Sequence, residues 1–278
     1  MILVDFSNFS IISAMGFFRD YKVTPDLACL RKLLLKRLHD THQALRARYG
    51  DEVVLAIDCD DGYWRKAIFS HYKAARKKAR DDSDFDFASY FQSIKILLDE
   101  FKQHTPYKVV EASHAEADDI VAILAKRFAS SQPVCVVSTD KDFIQLKAFH
   151  KSIEVYSIIT GKYHKGEDYH IRLHIAQGDS GDGIPNICSD EDTLITEGKR
   201  QKPLTSKLKS AILAAPNPQD VLTEAQKARY HLNAQLIDFD CIPAPIAASI
   251  IASYDAQKAD ASSYMQYLVS HRVMGVMQ

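Results

Sequence analysis

Five carboxylates fall in two short stretches of this chain: Glu116, Asp118 and Asp119 in the first, and Asp140 and Asp142 in the second. Acids this dense repel one another, and each is driven toward protonation unless a cation lies among them. An oxygen-only donor set suits a hard divalent ion, magnesium or manganese, better than zinc. The elements that must position these acids follow from their flanks. Lys108–Val110 and Val134–Thr139 are β-branched runs that predict buried strands, and Ala117, Ile120, Val121, Leu124 and Phe128 recur between them at helical spacing. Strand, helix, strand is the crossover of a parallel sheet, whose ligands bind beyond the carboxyl ends of its strands. The five acids converge on that edge.

Other stretches repeat the pattern. Ile2–Val4 is a short apolar run ending at Asp5, and Ser7 or Asn8 is placed to cap a following helix. Asp5 reads equally as a metal ligand or as a helix cap. Thr24-Pro25-Asp26 opens a long helix with Leu27, Leu30, Leu34, Leu38 and Leu45 on one core-facing stripe. Glu52–Ile57 is a further strand ending in acid, at Asp58, Asp60 and Asp61. Three strands ending in Asp are hard to ascribe to turn chemistry alone, although Asp and Gly are ordinary turn formers. After a strand at Ile153–Ser157 and a turn at Gly161, Asp179 and Asp182 stand three apart among glycines in Gly178-Asp179-Ser180-Gly181-Asp182-Gly183, a tight turn expected to expose both carboxylates.

The bases are segregated from these acids. Seven Lys or Arg occur between Arg65 and Arg80 with no acid among them, interleaved with Phe69, His71 and Tyr72. The run predicts one helix with Tyr72 sharing a face with Arg65 and Arg76, a surface fit to contact phosphates and stack on bases; the alternative is a solvated helix face. Asp81-Asp82-Ser83-Asp84 then breaks that helix and caps another from about Phe85 to Lys102. From Asp190 the texture is helical, with a basic loop around Lys199, Arg200 and Lys202 and a short helix Ser206–Leu213 carrying Lys207 and Lys209. Such a loop either grips a duplex backbone without reading bases or simply joins core helices. Further helices are expected over Ala225–Ile237, Ala244–Tyr254 and Ser262–His271.

At 278 residues, 46% hydrophobic and 26% charged, the chain has the composition of a soluble globular protein with ample core. Its net charge of −1 conceals the segregation of acids and bases. Five cysteines, Cys29, Cys59, Cys135, Cys188 and Cys241, lie far apart with no C-x-x-C pair, which predicts reduced core residues of a cytoplasmic protein rather than a disulfide frame or zinc site. No apolar run approaches the ~20 residues of a membrane helix, and the strand at residue 2 leaves no room for a signal peptide.

Nine carboxylates exceed what one ion needs and suit two-metal phosphoryl transfer, with ions ~4 Å apart. An acidic pocket beside a basic arm describes a nuclease. Asp5 after a strand, Asp58 followed by Gly62-Tyr63-Trp64-Arg65 and Tyr72-Lys73-x-x-Arg76, Glu116-Ala117-Asp118-Asp119, Ser138-x-Asp140-x-Asp142 and Gly178-Asp179-x-x-Asp182 together resemble the 5′ nuclease (flap endonuclease) superfamily over roughly residues 1–190. The likeness is greatest to its T-even-type phage ribonuclease H branch and continues through Arg229-Tyr230, Leu236–Asp240 and Ile242-Pro243.

That resemblance implies an α/β fold: a central, mostly parallel sheet flanked by helices over residues 1–183, with a helical arch at about 63–90, and a helical region over 184–278 bearing a duplex-binding helix–three-turn–helix element. It implies Asp5, Asp58, Glu116, Asp118 and Asp140 around one Mg²⁺, with Mn²⁺ able to substitute. Asp142, Asp179 and Asp182 would hold a second ion, and Asp119 would be shared or lie just outside. Lys73 and Arg76 would contact the scissile phosphate, Tyr72 would stack on a base, and Arg65, Lys66, Lys77, Lys78, Arg80, Lys199, Arg200, Lys202 and Lys207 would grip nucleic acid. The implied activity is 5′→3′ exonuclease and flap endonuclease action with ribonuclease H activity, in a monomer that removes RNA primers in phage DNA replication. The implied partners are flap DNA, RNA·DNA hybrid, a single-stranded-DNA-binding protein and a sliding clamp. Where the superfamily carries a Gly-x-Gly-x-Lys turn, this chain has Asn186-Ile187-Cys188-Ser189-Asp190-Glu191-Asp192. Two rival readings are a non-catalytic binder of branched DNA and an aspartate-dependent small-molecule phosphatase. The first leaves buried carboxylates without the ion that offsets their burial, and the second leaves Asp5, Glu116, Asp140 and the basic run unused.

Overall fold

A computed structural model describes residues 1–166, 168–257 and 262–277, except for the side chains of residues 77–79 and 277. In chain order the elements are β1 (Ile2–Asp5), α1 (Phe6–Tyr21), α2 (Leu27–Tyr49), β2 (Val53–Ala56), α3 (Trp64–Ile68), α4 (Arg76–Asp81), α5 (Phe87–His104), β3 (Lys108–Val110) and α6 (Ala117–Phe128). They continue with β4 (Val134–Val137), α7 (Gln145–Phe149), β5 (Ile153–Ser157), β6 (Lys162–Tyr163), α8 (Ile171–Gln177), α9 (Ser206–Ala214), α10 (Glu224–Ile237), α11 (Ala244–Ala256) and α12 (Tyr264–Ser270). Two compact units result, one of residues 1–61, 83–165 and 244–278, the other of 62–82 and 166–243. Neither is contiguous, and α11 and α12 belong with the sheet rather than with the helices that precede them.

The first unit is built on a six-stranded sheet of order β3-β2-β1-β4-β5-β6. All pairings are parallel except β5 with β6. Strand residues alternate between faces, so Ile2, Val4, Val53, Leu55, Val109, Cys135 and Val137 turn to one side, where they pack with Leu30, Leu34, Leu38, Leu97 and Phe101 of α2 and α5. The other face takes α6, whose Ile120, Val121 and Leu124 are fully buried, and α11 packs on α6 and β3. The chain winds outward from β1 through β2 to β3, then returns to the far side of β1 for β4. That reversal makes the carboxyl end of β1 the switch point of the sheet.

The second unit is helical. Phe69, Tyr72, Ile175, Ile184, Ile187, Ile212, Tyr230 and Ile237 form its core. Buried Asn233 ties two backbones together there, donating to the Ile175 and Pro185 carbonyls, each at 2.9 Å.

Several local expectations are corrected. Asp5 itself caps α1, accepting the Asn8 N–H at 3.1 Å, in place of Ser7 or Asn8. The basic run is not one helix: α3 ends at Ile68, and Lys73 adopts a left-handed φ of 56° before α4 begins at Arg76. Asp86 caps α5, two residues later than expected, because Phe85 is buried as a core residue. The two-residue β6 after the Gly161 turn has no counterpart in the sequence reading. None of the five cysteines is in a disulfide, as expected, but only Cys59 and Cys135 are core residues; Cys29 and Cys188 are half-buried and Cys241 is exposed.

Gly178 ends α8 with φ +67°, and an added Cβ would lie 2.3 Å from the carbonyl oxygen of Ile184, the residue that bridges Asp179 to close the following turn. Gly50 ends α2 at φ +84° with open space around it. Gly178→Ala should therefore lower stability by ~3 kcal/mol or more, and Gly50→Ala by only ~1 kcal/mol. Urea unfolding midpoints compare the two; equal losses would mean that the close approach at Gly178 is unimportant.

Candidate functional site

Register places the acids of the first unit. Asp5 pairs with Ala56, which pairs with Val110, and Val4 pairs with Val137, so the chain leaves β1, β2, β3 and β4 along one edge. Asp5 is the last residue of β1, Asp58 and Asp140 lie in the loops that leave β2 and β4, and Glu116 lies beyond Glu111 at the far end of the loop from β3 to α6. Asp5 is 4% exposed, with one oxygen on the Asn8 N–H and the other accepting from Ser138 Oγ at 2.9 Å. Burial, then the charge of Asp58 and more weakly that of Asp140, push its pKa up to about 7, against the opposing effect of those two hydrogen bonds.

The neighbouring carboxylates are oriented by backbone. Half-buried Asp58 accepts the Ala117 N–H at 2.8 Å, at the first residue of α6. Glu116 is the N-cap of α6 and is buried; Asp119, fully buried, accepts the Glu116 N–H at 3.0 Å in a reciprocal capping box. Asp119 is thereby turned onto the backbone, where it fixes Glu116. Asp118 lies half-buried in the same first turn. Asp140 caps a 3₁₀ turn over Lys141–Ile144 and accepts the Asp142 N–H at 2.9 Å, while its own N–H donates to Ser138 Oγ at 3.1 Å. Asn8 completes the lattice, its Oδ1 accepting from Thr139 N and Oγ1 at 3.1 and 3.0 Å.

Sequence reasoning gave Ser138 and Asn8 no part in this arrangement beyond motif and cap. A serine directly after a strand and two before an Asp is the signal available, since its hydroxyl donates to one carboxylate and accepts the amide of another. Asp61 was also passed over. Its exposed carboxylate accepts from Ser113 Oγ and from the His114 N–H (2.9 Å), which hold its pKa well below the usual carboxylate range and fasten the loop after β2 to the loop after β3.

In the second unit, the Gly178–Gly183 turn is closed by an antiparallel bridge between Asp179 and Ile184. Asp179 accepts the Gly181 and Asp182 amides at 2.7 and 3.1 Å, and His174, with Nε2 at 3.8 Å, leads the influences that lower its pKa. Asp182 does not present an open carboxylate, as the sequence suggested. Arg76 Nη2 donates to Oδ1, Tyr72 Oη donates to Oδ2 at 3.0 Å, and Lys73 Nζ lies 3.7 Å from Oδ2. The Lys73 N–H also donates to the Asp182 carbonyl at 2.8 Å. Two residues of the basic run are corrected. Tyr72 is 2% exposed and packed in the core, so its ring has no face for a base. Arg65 is likewise 2% exposed, its Nε donating to the Leu236 carbonyl at 2.8 Å, and it serves the core rather than a phosphate.

Of the remaining bases, Lys66, Arg80, Arg200 and Lys207 are exposed. Lys199 grips both oxygens of Asp192 at 2.6 and 2.7 Å, and Lys202 pairs with Asp190 at 3.1 Å. The side chains of Lys77 and Lys78 lie outside the described residues.

Two family models match the chain, "5′-3′ exonuclease, N-terminal resolvase-like domain" over residues 30–172 and "T4 RNase H, C terminal" over residues 166–278. Among curated proteins, ribonuclease H of Enterobacteria phage T4 is 32% identical, covering 92% of this chain and 86% of that protein. Flap endonuclease Xni of Shewanella sp. strain MR-4 is 28% identical over 66% of this chain and 70% of its own length. The phage T5 D15 protein co-crystallised with metal ions shares the fold at a TM-score of 0.59 and 17% identity, over 100% of this chain and 99% of that one. The D15 flap endonuclease in a pseudo-enzyme–product complex with DNA and metal ions superposes at 0.57, with 17% identity over 97% of this chain and 98% of that one. With the first model spanning more than half of the residues and the second continuing to the end, this chain belongs to the 5′–3′ exonuclease family and carries a C-terminal domain of the T4 ribonuclease H type.

Proposed function

We propose that the chain is a metal-dependent 5′→3′ exonuclease and flap endonuclease with ribonuclease H activity, hydrolysing phosphodiesters near 5′ ends and flap junctions of DNA and RNA·DNA duplexes. The observation that carries this reading is the crowding of Asp5, Asp58 and Asp140 at the switch point of the sheet, where burial and mutual repulsion hold Asp5 toward its neutral form. Such a group is relieved by a cation, and the donors around it are oxygens. Asp5, Asp58, Glu116, Asp118 and Asp140 are the proposed holders of one Mg²⁺, for which Mn²⁺ would substitute. Asp142, Asp179 and Asp182 are the proposed holders of a second, and Asp119 acts through Glu116 rather than as a ligand. Bound there, divalent ions activate the attacking water and stabilise the leaving oxygen.

The protein's own groups supply the rest. Ser138 and the Asn8, Ala117 and Asp142 amides hold one oxygen or both of the key carboxylates in place, so that no reorganisation is needed when the substrate arrives. Lys73 and Arg76 are the proposed contacts to a phosphate of the strand being cut. Lys66, Arg80, Arg200 and Lys207 offer exposed charge to the backbone, and Lys199 and Lys202 join them once released from Asp192 and Asp190. A biological role in removing RNA primers during phage DNA replication, in the cytoplasm and beside a single-stranded-DNA-binding protein and a sliding clamp, fits this chemistry. Among the described residues no helix is long and apolar enough to cross a membrane.

On a 5′-labelled flap duplex and a 5′-labelled RNA·DNA hybrid, wild type with Mg²⁺ should release short 5′ products, and EDTA should abolish them. Asp140→Asn and Asp5→Asn should each slow cleavage by roughly 10²-fold or more, the scale for removing one preorganised electrostatic group. Cleavage that persists in EDTA, or that survives both substitutions, would overturn the metal-dependent reading.

Stability should respond in the opposite sense. The Asp5 carboxyl has a pKa of about 7 when folded against an ordinary 3.8, so the unfolded chain ionises first as pH rises. Between those values the folded state binds more protons, and stability falls with pH until it levels off above 7. In EDTA at pH 8, Asp5→Asn should therefore be more stable than wild type by on the order of 1–3 kcal/mol, with the two converging below pH 4. Urea midpoints across that range check it, and Mg²⁺ at pH 8 should raise the midpoint of wild type more than that of Asp5→Asn.

A further inference from the structure

Lys73 and Arg76, the cations proposed to take a substrate phosphate, are both engaged by one acid within the second unit. Arg76 Nη2 donates to Asp182 Oδ1, Lys73 Nζ faces Oδ2 at 3.7 Å, and the Tyr72 hydroxyl donates to the same Oδ2 at 3.0 Å. A carboxylate and a phosphodiester each present a pair of oxygens sharing one negative charge, and a guanidinium fork with an ammonium suits either. The contact is built rather than incidental. Tyr72 is buried in the core, Lys73 is held at a left-handed φ of 56° with its N–H on the Asp182 carbonyl at 2.8 Å, and Gly183 leaves a gap into which a Cβ would project to 3.0 Å from the His71 carbonyl. The side chain of Lys73 is 10% exposed and that of Asp182 18%, so this pair is shielded from salt more than an ordinary surface pair.

We propose that Asp182 is an internal stand-in for the substrate phosphate: held by Tyr72, it occupies the Lys73–Arg76 site in the free protein and must be displaced for a nucleic-acid phosphate to enter. This rests on the nuclease reading above and adds a coupling to it. Displacement frees the Asp182 carboxylate for the second metal ion only when a phosphate has taken its cations, so binding of strand and binding of that ion favour each other, and by linkage the preference is reciprocal. Asp182 is then a positioning residue before binding and a ligand after it. Metal-free affinity for substrate is held down by the same contact.

The test is binding of a fluorescein-labelled, 5′-phosphorylated flap duplex in EDTA, read by anisotropy, for wild type, Asp182→Asn and Asp140→Asn. Asp182→Asn should tighten binding by roughly tenfold, as expected for loss of a competing charged hydrogen-bond acceptor. Asp140→Asn, which also removes one negative charge, should change it much less. In a Lys73→Ala, Arg76→Ala background the effect of Asp182→Asn should disappear. Tyr72→Phe, which keeps the buried ring and drops one of the donors holding Asp182, should move affinity the same way by a smaller factor, and it carries the test if Asp182→Asn folds poorly. Equal tightening by Asp182→Asn and Asp140→Asn, or tightening that persists without Lys73 and Arg76, would show general charge relief and overturn the proposal, as would unchanged or weaker binding. Failure of wild type to cut the same duplex with Mg²⁺ would instead sink the nuclease reading.

Discussion

Asp5 lies at the end of the central strand, nearly sealed from water, with two other acids near enough to oppose its charge. Burial of an ion without a counter-ion costs several kcal/mol, so a fold that keeps this residue must arrange compensation around it. Much of the first unit does that. Ser138 after β4 donates to one oxygen and the Asn8 N–H in the first turn of α1 to the other, and the Asn8 side chain holds Thr139 in the loop that carries Asp140. The hydrogen bonds favour the ionised form while burial and Asp58 disfavour it, and the disfavouring effects are larger. On the proposed reading a divalent ion would reverse that balance and link folding, metal and catalysis at one carboxyl group.

Asp5, Asp58 and Asp140 each accept from the backbone amide of a following helix or turn, in α1, in α6 and in the 3₁₀ turn after β4. Helix N-termini carry unsatisfied donors and positive potential, so they orient acids without adding a side chain that would compete for the ion. Capping is therefore compatible with the proposed ligand role of Asp5. Each carboxylate oxygen has two lone pairs, so the bonds from Asn8 and Ser138 leave acceptor capacity on both. In the second unit the logic runs the other way, because Asp182, Asp190 and Asp192 quench lysines and an arginine directly. The exposed pairs of Asp190 and Asp192 are worth only ~0–1 kcal/mol, so a polyanion exchanges with them at little cost, whereas the Asp182 contact is shielded and competes more strongly; the near-zero net charge of the chain does not argue against nucleic-acid binding.

What the sequence shows and hides follows from the range of the forces. Lys108–Val110 and Ile153–Ser157 were read to the residue because β-branched runs bounded by polar residues are local signals, and Asp26 announces α2 in the same way. The acidic edge was legible because each acid ends a strand or lies in the short loop that leaves one. The break between α3 and α4 was not, since residues 64–81 contain no Gly or Pro and Phe69 and Tyr72 keep helical spacing. What bends the chain there is the burial of both rings and the bond from the Lys73 amide to the Asp182 carbonyl, more than a hundred residues away. Arg65 misled for a related reason: arginine in a basic run reads as surface, yet one distant carbonyl and a packed site bury it. The return of α11 and α12 to the sheet is likewise a matter of tertiary contact, with no mark at Pro243 or Pro245 to announce it.

The register of β1 explains why small residues stand beside Asp5. Its pairing puts Ala56 on one side and, one step past Val137, Ser138 on the other. Ala56 adds neither bulk nor a competing donor, and Ser138 adds one hydroxyl that serves two acids at once, donating to Asp5 and accepting from the Asp140 amide. A lysine or arginine in either place would neutralise Asp5 permanently and remove the need for an ion. A larger apolar residue would bury the carboxylate further with no partner for its second oxygen, raising its pKa again. A slip of β1 by one residue would carry Asp5 away from both neighbours and turn Ile2 and Val4 to the opposite face, away from α2 and α5. Packing on that face thus fixes where the carboxylate sits, and the apolar core and the acidic edge are held by the same four-residue strand.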